Sequence, residues 1–211
     1  MIVIINPNST HSMTQAMLDT ARAACPDMSF EGWTSHDGPA AIQGPQDGEA
    51  CIPPLLRLVD KASAQSARAI IIGCFDDTGL EQARQVANCP VIGIGQAAYH
   101  FASMAGPRFS VVTTLPVSTS ILQNNIQNYG LAGNLGRVRA SGVPVLTLET
   151  EADTAAARVL DEIHAAQTED DVQCVVLGCA GMSHIPARAG PQITVRLIDG
   201  VIAAAHICAA L

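Results

Sequence analysis

Short aliphatic runs alternate with Ala-rich stretches of helical period along the whole chain, the arrangement expected of a parallel α/β sheet. Runs that are apolar at almost every position, such as Ile2-Val3-Ile4-Ile5 and Val175-Val176-Leu177, predict strands buried on both faces. In the first half the pattern predicts strands at about 2–6, 28–33, 69–74 and 91–94. In the second half it predicts them at about 109–113, 144–148, 173–178 and 194–198. Helices are expected near 11–24, 49–66, 79–87, 96–105, 117–129, 151–166 and 200–210. The opening run stops at Asn6-Pro7 and has no basic stretch before it, so it reads as a first strand rather than a signal peptide.

The halves carry one pattern twice. Ile70-Ile71-Ile72-Gly73-Cys74 is matched by Val175-Val176-Leu177-Gly178-Cys179, 105 residues on. Ile4-Ile5-Asn6-Pro7 is matched by Val111-Val112-Thr113-Thr114 at a spacing of 107, and Val91-Ile92-Gly93-Ile94 by Val195-Arg196-Leu197-Ile198 at 104. A near-constant offset is the mark of a duplicated unit. The fold expected is α/β, with two pseudo-symmetric lobes, each a mainly parallel four-stranded sheet flanked by helices, and an active site in the cleft between them. Residues 1–96 with 200–211 form the first lobe and residues 97–199 the second, the helix near 96–105 carrying the chain across. The stretch from Ser35 to Gly48, rich in Gly, Pro and Asp, is long enough to wrap over a cleft and equally fits an exposed connection.

Composition narrows the function classes. Of the 211 residues, 48% are hydrophobic and 14% charged, which excludes disorder. A net charge of −8 makes nucleic acid and anionic membrane surfaces poor partners. No apolar run approaches the roughly 18 residues of a membrane span, so the expected location is the cytoplasm. Seven cysteines, an odd number, then read as thiols rather than a disulfide framework. Lys61 is the only lysine and falls on an amphipathic surface helix, whereas Schiff-base chemistry needs a lysine in a cleft.

Cys74 and Cys179 each follow a Gly at the tip of a buried strand, where α/β proteins place their chemistry. A pair of thiols facing each other across a cleft suits proton transfer on two faces of one carbon. After Cys74, a helix is expected to start near Thr78 with Asp77 as its N-cap. Such a helix start favours a thiolate, while Asp76 opposes it. Ala180 and Gly181 are small enough to let a ligand approach the backbone, and His184 reads as a cap or surface residue. Cys25, Cys51, Cys89, Cys174 and Cys208 fit structural positions. The spacing of Cys174 and Cys179 is unlike a zinc knuckle, so no metal is expected. Gly93-x-Gly95-x-x-Ala98 matches a dinucleotide fingerprint but follows the fourth strand. Val111–Thr114 stand where its ribose-binding acid belongs, so the match is a coincidence.

Taken together, these motifs resemble the aspartate/glutamate racemase superfamily and, within it, the hydantoin racemase branch. The resemblance spans essentially the whole chain. It is carried by Ile5-Asn6-Pro7-Asn8-Ser9-Thr10, Gly73-Cys74-Phe75-Asp76-Asp77-x-Gly79-Leu80, Phe109-Ser110-Val111-Val112-Thr113-Thr114-Leu115, Gly178-Cys179-Ala180-Gly181-Met182 and Ile198-Asp199-Gly200-Val201. It implies an isomerase that needs no cofactor, with Cys74 and Cys179 as acid–base thiols. It also implies a small-molecule substrate surrounded by Asn8, Phe75, Asp76, Thr113, Thr114, Ala180 and Gly181, with Gly38 and Pro39 contributing from the long loop. The final helix would return to the first lobe, and self-association into a homo-oligomer is compatible with such an enzyme. Thr78 stands where the branch usually has Pro, a change expected to matter little. Pro45-Gln46 replaces an aromatic-containing stretch and bears on substrate preference. Amino-acid racemases of the superfamily tend to follow their cysteines with polar residues; here Phe75 and Ala180 occupy those places. The expected reaction is therefore racemisation at C5 of a 5-substituted hydantoin or a relative such as allantoin. An Asp/Glu-type amino-acid racemase and a maleate-type isomerase are the alternatives.

Overall fold

The computed structural model describes residues 1–211. Its frame is two four-stranded sheets, parallel throughout. The first contains β1 (Ile2–Asn6), β2 (Phe30–Thr34), β3 (Ala69–Ile72) and β4 (Val91–Gly93) in the order β2-β1-β3-β4. The second contains β5 (Phe109–Thr113), β6 (Leu135–Ala140), β7 (Cys174–Gly178) and β8 (Arg196–Asp199) in the same relative order, β6-β5-β7-β8. The helices are α1 (His11–Ala24), α2 (Pro45–Ala64), α3 (Leu80–Val86), α4 (Ile94–Ala105), α5 (Thr119–Asn128), α6 (Thr147–Thr150), α7 (Ala152–Glu169) and α8 (Gly200–Ala210). None is long and apolar enough to cross a membrane.

The central strands β1, β3, β5 and β7 are buried at every position, which is why they read as unbroken aliphatic runs. Successive side chains point to opposite faces. Ile2, Ile4, Ile71, Phe109, Val111 and Val176 meet α4 and α8 in one core common to both sheets. On the outer faces, Val3, Ile5, Ile70 and Ile72 pack under α2 and α3, while Val112, Val175 and Leu177 pack under α7. α4 leads the chain from β4 to β5, and α8 returns to lie on α4 and α1.

The pairing corrects the spacing read for the last repeat. Ile70 pairs with Val91, and its counterpart Val175 pairs with Leu197, so Val91 corresponds to Leu197, 106 residues on, rather than to Val195. A slip of two residues keeps the same side chains on the same face, so the apolar pattern alone cannot detect it.

The strand expected at 144–148 is not a strand. Pro144 has no amide to give a ladder, and the segment turns into α6, with Val143, Val145 and Leu148 buried as loop and helix residues. The place beside β5 is taken by β6, an edge strand of sequence Leu-Gly-Arg-Val-Arg-Ala. Its Arg139 is buried and donates to both Asp170 oxygens at 2.6 and 2.7 Å, to Glu169 at 2.7 Å and to Glu162 at 3.0 Å. Ser110 Oγ donates to the same Asp170 at 2.7 Å. Ionic pairing, rather than apolar burial, holds this edge in place.

Removing one partner of a buried pair strands the other charge. Arg139→Ala is therefore expected to cost about 3–5 kcal/mol in urea unfolding. Burial alone would raise the Asp170 carboxyl, but Arg139 and Ser110 outweigh it and hold it below the usual carboxylate range. Its contribution to stability is thus present above about pH 4, the unfolded value, and is lost as pH falls through the lower folded value. The acid sensitivity of unfolding should shrink in Arg139→Ala; an unchanged acid profile would contradict this assignment.

Candidate active site

The C-terminal ends of β1, β3, β5 and β7 converge on one narrow cavity, with room of about 40 Å³ for solvent. Cys74 and Cys179, each one or two residues past its strand, line it from the two sheets. The Gly before each thiol is closely packed, against the Met17 side chain at Gly73 and against backbone at Gly178. A Cβ at Gly73 would come within 2.6 Å of Met17 Sδ, and one at Gly178 within 2.8 Å of Val112 O. After each thiol the chain turns so that the amide two residues on, Asp76 N–H or Gly181 N–H, lies near the sulfur and favours its charged form.

Of the residues expected around a substrate, Asn8, Phe75, Asp76, Thr113, Thr114, Ala180 and Gly181 line this cavity. Asn8 Oδ1 is committed to Asn6 Nδ2 and Thr10 N, both at 2.9 Å, while its Nδ2 faces only the Met13 sulfur at 3.4 Å. That amide is free to donate to a ligand oxygen. Thr113 Oγ1 is tied to Gly178 O at 3.0 Å, linking β5 to β7. Phe75 is a wall with a fixed back, its ring set edge-on to buried Tyr99 with centroids 5.5 Å apart.

Gly38 and Pro39 do not line the cavity. Their loop folds back on the β1 tip, where Gly38 N donates to Ser35 O and Pro39 O accepts from Ser9 N. The loop reaches the site through Ile42 instead, and Val145 comes from the segment after β6. Gln43 Oε1 accepts Val145 N at 2.8 Å, and Ser12 Oγ donates to Glu149 at 2.7 Å, so groups from both halves close the roof. Asn6, Met13, Met17, Ser118 and Val145 also line the cavity but were not singled out in the sequence. Asn6 was signalled: it ends β1 as Thr113 ends β5. Val145 was hidden inside the misread strand. His184 lies outside the cavity, in a neighbouring groove.

The thiols are not activated at rest. Burial pushes Cys74 well above the ordinary thiol range, and nearby Asp76 and Cys51 push it further. Burial likewise takes Cys179 up to about 12, against the pull of the Gly181 amide. The helix expected to stabilise the Cys74 thiolate starts only at Leu80, after a left-handed Gly79, and is too distant and short to do so. Cys74 Sγ donates to the Thr78 hydroxyl at 3.7 Å. Burial also raises Asp76 to about 6, against a 3.3 Å hydrogen bond from Ser118. Asp77 does not cap α3 as expected. It accepts the first amides of α4, Gly95 N at 3.1 Å and Gln96 N at 2.7 Å. No three His, Cys, Asp or Glu side chains come together to hold a metal ion.

These states predict thiol reactivity. With both thiols mainly protonated at neutral pH, iodoacetamide alkylation of Cys74 and Cys179 should climb about tenfold per pH unit between about pH 7 and 9 without levelling. Asp76→Asn should accelerate Cys74 by removing a repelling charge. A plateau near neutrality, read by peptide mass, would contradict the thiol states.

A family model described as Asp/Glu/Hydantoin racemase matches residues 2–208. A hydantoin racemase of Rhizobium meliloti is 43% identical over 213 residues, covering 100% of this chain and 88% of that protein. Among solved structures, an allantoin racemase from Klebsiella pneumoniae superposes with a TM-score of 0.95 at 33% identity, over 100% of this chain and 86% of the other. One from Pseudomonas fluorescens gives 0.94 at 30% identity, over 100% and 89%.

Proposed function

The chain belongs to the Asp/Glu/hydantoin racemase family, and from that premise we propose that it racemises 5-substituted hydantoins, allantoin-like ones included, by two-base proton transfer at C5. The observation that carries this reading is the convergence of two equivalent Gly-Cys turns, one per sheet, on a single cavity. The C5 proton lies beside a ring carbonyl, so its removal gives an enolate. One thiolate takes the proton from one face, and the opposite thiol returns a proton to the other. The reverse turnover exchanges their roles. Amides and the Asn8 side chain facing the cavity stabilise the developing oxyanion. Asp76 accepts a ring N–H.

The lining contains Asp76 but no Lys, Arg or His. A neutral ring suits such walls better than the carboxylates of a free amino acid or of a maleate-type substrate, which favours the hydantoin over the alternatives. Phe75 and Ala180 beside the thiols support the same choice. The chemistry needs no cofactor, since the carbonyl supplies the carbon acidity.

The raised thiols set the pH dependence. Forming a thiolate costs about 1.4 kcal/mol for each unit that its pKa exceeds the solution pH. With Cys179 near about 12, racemisation should accelerate from neutral to alkaline pH. In D2O, an enantiopure hydantoin should lose optical rotation as deuterium enters C5. Cys74→Ser or Cys179→Ser should slow racemisation by at least about a hundredfold, while one-sided exchange survives. Racemisation retained in the double variant would end the two-thiol reading. Turnover of free aspartate or glutamate in preference to their hydantoins would replace it with the amino-acid reading.

A further inference from the structure

β4 and β8, with the helix starts that follow them, correspond in position at a spacing of 106, but the two helices are capped differently. Asp199, the last residue of β8, caps α8 by accepting Val201 N at 2.7 Å and Ile202 N at 3.0 Å. The counterparts of those amides are Gly95 N and Gln96 N, and the counterpart of Asp199 is Gly93. Gly93 has no side chain to cap with. The cap of α4 comes instead from Asp77, three residues after Cys74.

Space has been made for this substitution. A Cβ at Gly93 would overlap Asp77 Oδ1. One at Gly95 would overlap Phe75 O and stand 2.8 Å from Asp77 Oδ2. The Gly-x-Gly that imitates a dinucleotide fingerprint is therefore the seat of the Asp77 carboxylate. Asp77 reaches it in a left-handed conformation, φ 51°, disfavoured for a residue with a side chain. From α5, Asn125 Nδ2 donates to Asp76 O at 2.7 Å. Just beyond the helix, Tyr129 Oη donates to Asp77 Oδ2 at 2.9 Å. Past Cys179 the turn's side-chain bond is local, Ser183 Oγ donating to Ala180 O at 3.2 Å.

We propose that Asp77 is a positioning residue, whose carboxylate bolts the Cys74 turn to α4 and, through Tyr129, to the second half of the chain, setting where the Cys74 sulfur stands relative to Cys179. Capping alone does not explain the arrangement. An Asp at position 93 would cap α4 as Asp199 caps α8, with no left-handed residue and no tyrosine. What the borrowed cap adds is a link between the Cys74 turn and the helix that joins the sheets. Two-base transfer needs that link, because displacement of a reacting group by about 1 Å can cost about a hundredfold in rate.

The test separates the cap from the bolt. Asp77→Gly keeps the left-handed turn free of strain and removes both functions. Adding Gly93→Asp returns a cap to α4 in the form the other half uses, with the Leu80 Cδ2 methyl, 2.9 Å from the new Cβ, moving aside. The double variant should recover the unfolding midpoint of the natural chain, yet alkylate Cys74 at least about fivefold faster than that chain at alkaline pH, with Cys179 within about twofold. Tyr129→Phe, which keeps the ring, should shift Cys74 in the same direction. In hydantoin racemisation these variants should lose kcat by about tenfold with KM within about twofold.

The kinetic arm rests on the hydantoin racemase reading, whereas the alkylation arm does not. If the natural chain racemises no hydantoin, that reading fails and Cys74 reactivity alone decides the role of Asp77. Natural Cys74 reactivity in the double variant, or equal changes at Cys74 and Cys179, would overturn the proposal.

Discussion

The close packing of the first turns of α4 and α8 is the constraint on which the rest of the molecule depends. These turns are counterparts in the repeat, and Ile94 O of one lies so near Gly200 of the other that a Cβ there would press into it. That same Cβ would stand 3.2 Å from the Phe75 ring, so the contact also backs the Cys74 turn. Around it the inner faces of both sheets close into one core. Thiols at the ends of β3 and β7 can act on a single carbon only if two separate sheets hold a fixed relation. The shared core supplies that relation coarsely, and hydrogen bonds at the strand tips refine it.

Much of this was legible because burial leaves a direct trace in sequence. The central strands are sealed on both faces, so their aliphatic runs mark them to within a residue or two, while α2 begins four residues earlier and α7 ends three residues later than the helical period suggests. The edge was not legible by the same signal. β6 carries Arg137 and Arg139 and is held by Asp170 and Glu169, so it leaves no apolar run, and the apolar positions at 144–148 predict a strand although they belong to a loop and α6, with Val145 lining the cavity. The repeat contained the missing information. Advancing β2 by the 105-residue spacing of the cysteine motifs lands on Leu135, where β6 begins. Residues attached to strand tips line the cavity, since a tip inherits its position from the strand. The long loop offers no such anchor: Gly38 and Pro39 look important for their backbone, whereas Ile42 reaches the cavity.

Asp77 marks a different limit. An acidic residue ahead of a helix is ordinarily that helix's cap, and nothing local tells a reader that its carboxylate serves a helix many residues later. The clue was the Gly93-x-Gly95 pair, which had no function once a dinucleotide was excluded. Two glycines at a helix start imply that something occupies the volume of their missing side chains. Only the fold shows that the occupant is a carboxylate from the Cys74 turn.

The thiols illustrate a conflict between exclusion of water and supply of a base. A narrow, buried cavity would strengthen the hydrogen bonds to the enolate of the proposed reaction, but the same burial raises both cysteines. Their surroundings are unequal: Asp76 and Cys51 push Cys74 further up against the hydrogen bond to Thr78, while Asp76 and Glu149 push Cys179 up against the Gly181 amide. Such inequality is compatible with racemisation. The equilibrium constant between enantiomers is one, so kcat/KM must be equal in both directions whatever the two bases are. Unequal thiols can change only how the barrier is divided, which face's proton transfer limits the rate and how strongly deuterium at C5 slows each direction. Selection on overall rate therefore leaves the halves free to diverge around their cysteines, provided the distance between the two sulfurs is kept. The pattern observed fits that rule, for the residues touching the thiols differ between the halves while the sheets and helices that carry them repeat.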